Sequence, residues 1–272
     1  MHLSVPLILL LLLGFSPAHS RSVKGTEKTG NNIVEDDFSV SAIIERANKN
    51  VGQTPGDPTI WFGDIVVADG LQNADQCTSR EPGCKWLKNS DGNVYIPFII
   101  SNHYCPKEKS VIKDALKSFE NSTCIRFIPR DKEEDYIHIQ SLSGCFSTVG
   151  RRGGEQTLSL ARRGCLYEHV IQHEVLHALG FRHEQNRRDR DEHVRIVYEN
   201  IIPGKEHNFK KRNTNNLGTP YDYGSVMHYG RDAFSKNGQP TIVPIPDENV
   251  AVGHAKEMNA NDILRVKKLY CG

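Results

Sequence analysis

Residues 173–184 read His173-Glu174-Val175-Leu176-His177-Ala178-Leu179-Gly180-Phe181-Arg182-His183-Glu184, and most of what the chain reveals about itself radiates from this stretch. On a helix of 3.6 residues per turn, His173 and His177 lie one turn apart on one face, so their imidazoles can share an ion. Zinc takes imidazole nitrogen at about 2.0–2.1 Å in a compact polyhedron, and this spacing supplies two such ligands without strain. A third ligand must approach from another direction, so the helix has to stop. Gly180 provides the stop, because glycine closes helices in the left-handed conformation without a Cβ penalty. The chain can then turn back and present His183. Glu174 sits beside the histidine face, placed to reach a water at the metal rather than the metal itself. Val175, Leu176, Ala178 and Leu179 anchor the helix in a core. A bare HExxH recurs by chance, but the glycine and third histidine at this spacing make coincidence a poor explanation.

Working outward, the periodicity predicts a helix over 165–179 and, before it, strands. Val94-Tyr95-Ile96-Pro97-Phe98-Ile99-Ile100 is β-rich, with a proline that suggests an edge. Ser110 is the expected cap of a helix carrying Val111, Ile112, Ala115, Leu116 and Phe119 on one side. Ile125-Arg126-Phe127-Ile128, Tyr136-Ile137-His138-Ile139 and Thr157-Leu158-Ser159-Leu160 read as strands. Beyond Gly180 regularity fades, and Asn, Gly and Pro punctuate a loop-rich half. A last helix over 262–270, with Ile263, Leu264, Val266 and Leu269 as its apolar face, leads to Cys271.

The N-terminal end reads differently. Residues 3–15 form an uncharged apolar run, and Ala18-His19-Ser20 follows as a signal-peptidase site, so residues 1–20 are expected to be a signal peptide. That run is short for a bilayer, and no other stretch is long and apolar enough to span one, so no membrane partner is expected. Residues 21–72 carry eight acidic and five basic side chains, which leaves the rest of a chain of net charge +1 at net +4. A detachable acidic piece on a mildly basic body suggests a pro-segment. In it, 38–47 has a helical pattern with Ile43 and Ile44 on the apolar side, and Trp61, Phe62, Ile65, Val66 and Val67 surround Asp64. So small a net charge gives no support to a nucleic-acid partner. All seven cysteines (77, 84, 105, 124, 145, 165 and 271) lie beyond residue 73, which marks the body as a disulfide-stapled domain. The odd count leaves one thiol over, and spacing alone does not choose the pairs.

The string from His173 to Glu184 resembles the HExxHxxGxxHE signature of the astacin branch of the metzincins, and Ser225-Val226-Met227-His228-Tyr229 resembles that branch's Met-turn. Thr123-Cys124-Ile125-Arg126-Phe127, Ser143-Gly144-Cys145-Phe146, Gly164-Cys165 and the near-terminal Cys271 look like the family's cysteine segments. Cys77 and Cys84, close enough for a local bridge, place the chain near the six-cysteine astacins of teleost fish, which include the hatching enzymes. The resemblance implies an α+β metzincin zinc-protease domain. Its N-terminal half would hold a twisted, mostly parallel sheet with two long helices; its C-terminal half would be loop-rich and end in a helix. It implies disulfides Cys124–Cys271 and Cys145–Cys165, with Cys105 left without a partner.

The same resemblance implies a secreted zinc endopeptidase, with one Zn2+ on His173, His177 and His183. Glu174 would be the general base, Tyr229 a switchable ligand that stabilises the oxyanion, and Met227 the packing beneath the metal. Latency would come from Asp64 over the zinc, although Trp61 stands where the family motif has Phe. Cleavage after Gln72 by an activating protease would leave a catalytic domain of residues 73–272, whose new terminus at Asn73 would be buried against Glu184. Asn121-Ser122-Thr123 is a glycosylation sequon. The implied partners are protein substrates, foremost egg-envelope glycoproteins, met by a monomer secreted through granules. The alternatives are another six-cysteine astacin acting on tissue or matrix proteins and, more remotely, an inactive secreted binding module. A zinc assay with chelator-blocked casein digestion separates the last from the others.

Overall fold

A computed structural model of the chain describes residues 38–67 and 84–272. The expected signal peptide, the cut site before Asn73, and Cys77 lie outside the described residues. The described part of the acidic segment folds onto the body as one helix, α1 (Val40–Asn48), and two short strands, β1 (Ile60–Trp61) and β2 (Ile65–Val66). Ser39 caps α1 by accepting from Ala42 N at 3.2 Å, and Val40, Ile43 and Ile44 bury their side chains.

Five strands of the body extend this into one sheet: β3 (Val94–Ile100), β4 (Ile125–Pro129), β5 (Tyr136–Gln140), β6 (Cys145–Ser147) and β7 (Glu155–Leu160). The order is β1-β2-β6-β7-β5-β3-β4. β3 pairs in parallel with β4 and β5, and β5 with β7, while β6 is antiparallel to β7. β2 adds to β6 in parallel, with Ile65 opposite Ser147. The strand expected at an edge because of Pro97 is therefore internal. Val94 N donates to Cys124 O in β4's direction, so by strand alternation residues 95 and 97 face β5, whose pairing begins only at Phe98. The donor that proline lacks is not needed there.

Two helices pack beneath the sheet. The first, α2 (Pro106–Ser122), is 17 residues long and begins four residues before the expected cap at Ser110. Pro106 occupies its first turn, and Glu108 reaches back to accept from Cys105 N at 2.8 Å. Ser110 instead lies inside the helix. The second, α3 (Glu168–Ala178), is 11 residues long and starts after, not at, Cys165. Cys165 is held in the Cys145–Cys165 disulfide, and Cys124–Cys271 ties β4 to the chain's end. Ile112, Leu116 and Phe119 of α2 and Val170, Ile171 and Val175 of α3 share one core with Val94, Ile96 and Ile139 of the sheet.

After Gly180 the chain forms short turns, a two-stranded ribbon of β8 (Val194–Ile196) and β9 (Ile242–Pro244), and the final helix α4 (Ala260–Val266), which continues as a wider turn over Lys267–Cys271. The apolar face expected for that helix is corrected at one place. Leu264 is 42% exposed, whereas Arg265 is 7% exposed. Among the described residues no helix is long and apolar enough to cross a membrane.

Candidate active site

The C-terminus of α3 is fixed carbonyl by carbonyl. Helix ends leave their last carbonyls without intrahelical donors. Here Leu176 O accepts from Phe181 N at 2.9 Å, and His177 O accepts from Gly180 N and Gly150 N at 2.8 Å. Ala178 O accepts from Trp86 Nε1 at 3.0 Å, and Leu179 O from the Tyr270 hydroxyl at 2.8 Å. Gly180 adopts φ +100, the left-handed stop that residue type permits. The chain leaves the helix in one defined direction and brings His183 back against His173 and His177.

The three imidazoles converge. His173 Nε2 lies 3.0 Å from His177 Nε2 and 3.2 Å from His183 Nε2, all three residues being buried. Asp64, from the turn between β1 and β2, completes the cluster: its Oδ2 is 3.0 Å from His173 Nε2 and 3.2 Å from His183 Nε2. Its Oδ1 is 3.3 Å from His177 Nε2. His173 Nδ1 faces Val226 O and His177 Nδ1 faces Phe181 O, each at 2.8 Å. A ring nitrogen facing a carbonyl carries the proton, so both Nε2 atoms present lone pairs to their neighbours. Burial lowers the pKa of His177, and brings His183 down to about 4, so these rings are neutral near pH 7.

Lone pairs and a carboxylate pressed together in a dry site repel unless a cation lies among them. A tetrahedral ion with bonds of about 2.0–2.2 Å has ligand-to-ligand edges of about 3.3–3.6 Å. The observed separations lie close to that, and no thiolate takes part, so the donor set fits zinc held by His173, His177 and His183. Asp64 then stands at the position a hydrolytic site must leave open.

Glu174 lies fully buried in this environment, and neither carboxylate oxygen has a hydrogen-bond partner among the described residues. Burial first, and the charge of Asp64 second, push its pKa well above the usual range. A carboxylate so placed takes up a proton readily, the property a general base needs.

The opposite wall is the turn at 225–229. Asp262 of α4 accepts from Ser225 Oγ at 2.6 Å and from Val226 N at 3.1 Å, which positions Val226 O under His173. Met227 is buried in the main core, and its carbonyl accepts from Glu184 N at 3.0 Å. Tyr229 N donates to Gln185 Oε1 at 3.1 Å, and its ring lies 4.7 Å from that of His183. Its hydroxyl does not join the cluster; it donates to Phe62 O in the acidic segment. Phe62 and Gly63 both have positive φ, +54 and +85, and a Cβ at Gly63 would lie 2.8 Å from that hydroxyl. Burial, aided by Asp64, keeps the phenol pKa well above 10, so the hydroxyl stays a donor.

Glu184 lies behind the site at 2% exposure, gripped bidentately by Arg265 at 2.6 and 2.7 Å and by Arg187 at 2.9 Å. Neither arginine was legible as a site residue. The only trace of Arg265 in the sequence is a charge inside the pattern of the last helix. A cavity of about 120 Å³ borders Glu184, Arg187 and Arg265. Asn73, the expected partner of Glu184, lies outside the described residues. β2 covers the outer edge of β6, with Ile65 opposite Ser147. Asn121 is exposed in the last turn of α2, and Cys105 is an exposed free thiol.

Comparison with known proteins agrees with this geometry. A family model described as Astacin, a peptidase family, matches residues 81–271. The low choriolytic enzyme of Oryzias latipes is 45% identical over 267 residues, covering 97% of this chain and 96% of its own length. High choriolytic enzyme 2 of the same fish is 48% identical over 238 residues, covering 87% and 82% respectively. Among solved structures, high choriolytic enzyme 1, a hatching enzyme zinc-protease from Oryzias latipes, matches with a TM-score of 0.68 and 53% identity, covering 69% of this chain and 94% of that one.

Proposed function

Because this chain belongs to the astacin family of peptidases and is a zinc metalloendopeptidase of metzincin fold, we propose that it is a hatching enzyme, secreted as a latent monomer and activated to digest egg-envelope proteins. The hydrolytic reading rests on one observation: three buried imidazoles turn their Nε2 atoms toward a single point, with a Glu174 carboxylate beside it that has no hydrogen-bond partner among the described residues. The envelope as substrate rests on likeness to two choriolytic enzymes over most of both chains.

His173, His177 and His183 would hold the zinc, which when bound would supply Lewis-acid polarisation of water and of the scissile carbonyl. Glu174 takes the proton from the attacking water at its free carboxylate oxygens and passes it to the leaving amine. The Tyr229 hydroxyl, once released from Phe62 O, donates to the oxyanion that develops on the substrate carbonyl. The substrate lies extended along β6, the strand that β2 now covers.

In this reading residues 1–20 are a signal peptide, 21–72 the pro-segment and 73–272 the catalytic domain. Asp64 blocks the position that water needs. A protease cutting after Gln72 frees Asn73, whose ammonium enters the cavity beside Glu184 and replaces Arg187 there. Arg187 has Asp189 as a second partner, at 2.7 and 2.9 Å, so it can release Glu184 and stay paired.

The test is incubation of the processed enzyme with isolated egg envelopes, with and without a zinc chelator. Chelator-sensitive solubilisation is expected. Casein digestion without any attack on envelopes would retain the protease and move its substrate to tissue or matrix proteins.

A further inference from the structure

The acidic segment touches the body at more than the histidine cluster. Besides its apolar stripe, α1 carries a polar one. Ser41, Glu45 and Asn48 are spaced i, i+4, i+7 and fall on one side of the helix. Each accepts from a main-chain amide of the body. Gly230 N donates to Ser41 Oγ at 2.7 Å, Phe234 N to Glu45 Oε2 at 3.0 Å, and Cys145 N to Asn48 Oδ1 at 2.8 Å. Asn48 Nδ2 donates in turn to Cys145 O at 2.6 Å and to Gly63 O at 2.8 Å. The first two amides follow Tyr229 on the C-terminal wall of the cleft. The third opens β6 on the sheet wall. One helix face thus clasps both walls, and through Gly63 it also holds the loop that carries Asp64.

The body is shaped for these side chains. A Cβ on Gly230 would come within 3.0 Å of Ser41 Oγ, and one on Gly144 within 2.2 Å of Asn48 Oδ1. Apart from Ser41, the nearest atoms to a Cβ on Gly230 are 3.8 Å away, so in the body itself that position has room for a methyl.

We propose that Ser41, Glu45 and Asn48 form an autoinhibitory latch that docks the pro-segment without help from the metal site. The proposal rests on reading residues 21–72 as a pro-segment. Latency then has two separable parts. Asp64 fills the open position, and the latch keeps Asp64 at high effective concentration there. A single cut after Gln72 leaves α1 docked, so activation needs a second event, release or digestion of the helix. The body-side amides of Gly230, Phe234 and Cys145 become free donors along the cleft only after that event.

The test uses the full secreted precursor as wild type, as Asp64→Ala and as the triple variant Ser41→Ala, Glu45→Ala, Asn48→Ala. Hydrogen exchange is read on peptides spanning 230–234 and residue 145. The triple variant should speed exchange there by about tenfold or more, whereas Asp64→Ala, or chelation of the wild type, should leave it within about twofold. After the cut, wild-type pro-segment should co-elute with the body and inhibit it; the triple variant's should separate at once. Gly230→Ala, which strikes the latch from the body side, should act in the same direction and covers the case of a misfolded triple variant. Unchanged protection in both the triple variant and Gly230→Ala, or protection lost in Asp64→Ala, overturns the latch. A wild-type precursor as active as the processed enzyme would sink the pro-segment reading and the latch with it.

Discussion

Before Gly180 the body positions its functional groups with regular structure; after it, with buried polar side chains. His173, Glu174 and His177 ride on α3, whose hydrogen bonds are internal and whose Val170, Ile171, Val175 and Leu176 are buried. His183, Met227 and Tyr229 have no such support. Their turns are held by side chains bonded to main chain: Asn186 Nδ2 to Asn208 O at 2.9 Å, Arg190 Nη1 to Gln185 O at 2.8 Å and Phe209 O at 2.9 Å, and Asp262 to Ser225 and Val226. A buried backbone must find partners somewhere. Where no helix or ladder supplies them, single side chains do, and each becomes hard to replace. The first half should therefore tolerate loss of a catalytic group without loss of stability, and the second should unfold when a structural charge is removed.

The largest expected effect tests the first claim. Glu174→Gln should lower kcat/KM on a peptide substrate by up to about 10⁴-fold, with zinc content and Tm unchanged. Among the described residues the carboxylate has no hydrogen bond for the fold to lose. A variant that kept a tenth of wild-type turnover would remove Glu174 from the role of base. The second claim is tested by Arg265→Met in the precursor, which leaves Glu184 buried with Arg187 as its one charge partner among the described residues. Breaking a buried pair from one side costs about 3–5 kcal/mol. At about 2–4 °C per kcal/mol for a domain of this size, Tm should fall by about 6–20 °C in calorimetry. An unchanged Tm would show that the irregular half does not depend on its buried charges.

The same contrast explains what could be read in advance. The histidine string, β3, β4, β5 and β7 were legible because helical and strand periods are local. The errors were local too. Pro97 suggests an edge because the sequence does not show where β5 begins to pair, and Ser110 looks like a cap although Pro106 and Glu108 already start α2 within a polar turn. The C-terminal half stayed opaque for another reason. Glu184 and Arg265 are 81 residues apart with no period linking them, and in α4 the charged residue faces in while Leu264 faces out. The convergence of Tyr229 on Phe62 O spans 167 residues; the resemblance to a family implies a place for that hydroxyl at the metal, and nothing in the sequence points at Phe62 O.

Tyr229→Phe sharpens the comparison, because it sits in the irregular half yet is expected to act on chemistry. Removing one oxyanion donor costs about 10²–10³ in kcat. The loss should appear in kcat of the processed enzyme with KM little changed. In the precursor the same substitution removes the bond to Phe62 O, so its stability should fall by about 0.5–1.5 kcal/mol, a shift absent after processing. An equal loss of stability before and after processing would make Tyr229 a structural residue only.

The smallest effect probes whether a helix in the second half behaves like those in the first. Asn259 caps α4 by accepting from Asn261 N at 2.8 Å and Asp262 N at 3.0 Å, and its Nδ2 donates to Asp222 Oδ2 at 2.8 Å and Gly224 O at 3.0 Å. An N-cap alone is worth about 1 kcal/mol, and an isolated cap loss in a regular region would end there. Here the first turn of α4 also carries Asp262, which holds Val226 and through it the ring of His173. Asn259→Ala should therefore lower Tm by about 2–4 °C and also weaken zinc retention against a chelator, although Asn259 is not among the groups around the metal position. A Tm shift with chelator resistance intact would mean that the turn at 225–229 keeps its shape without α4, and that the irregular half is more self-sufficient than its buried bonds imply.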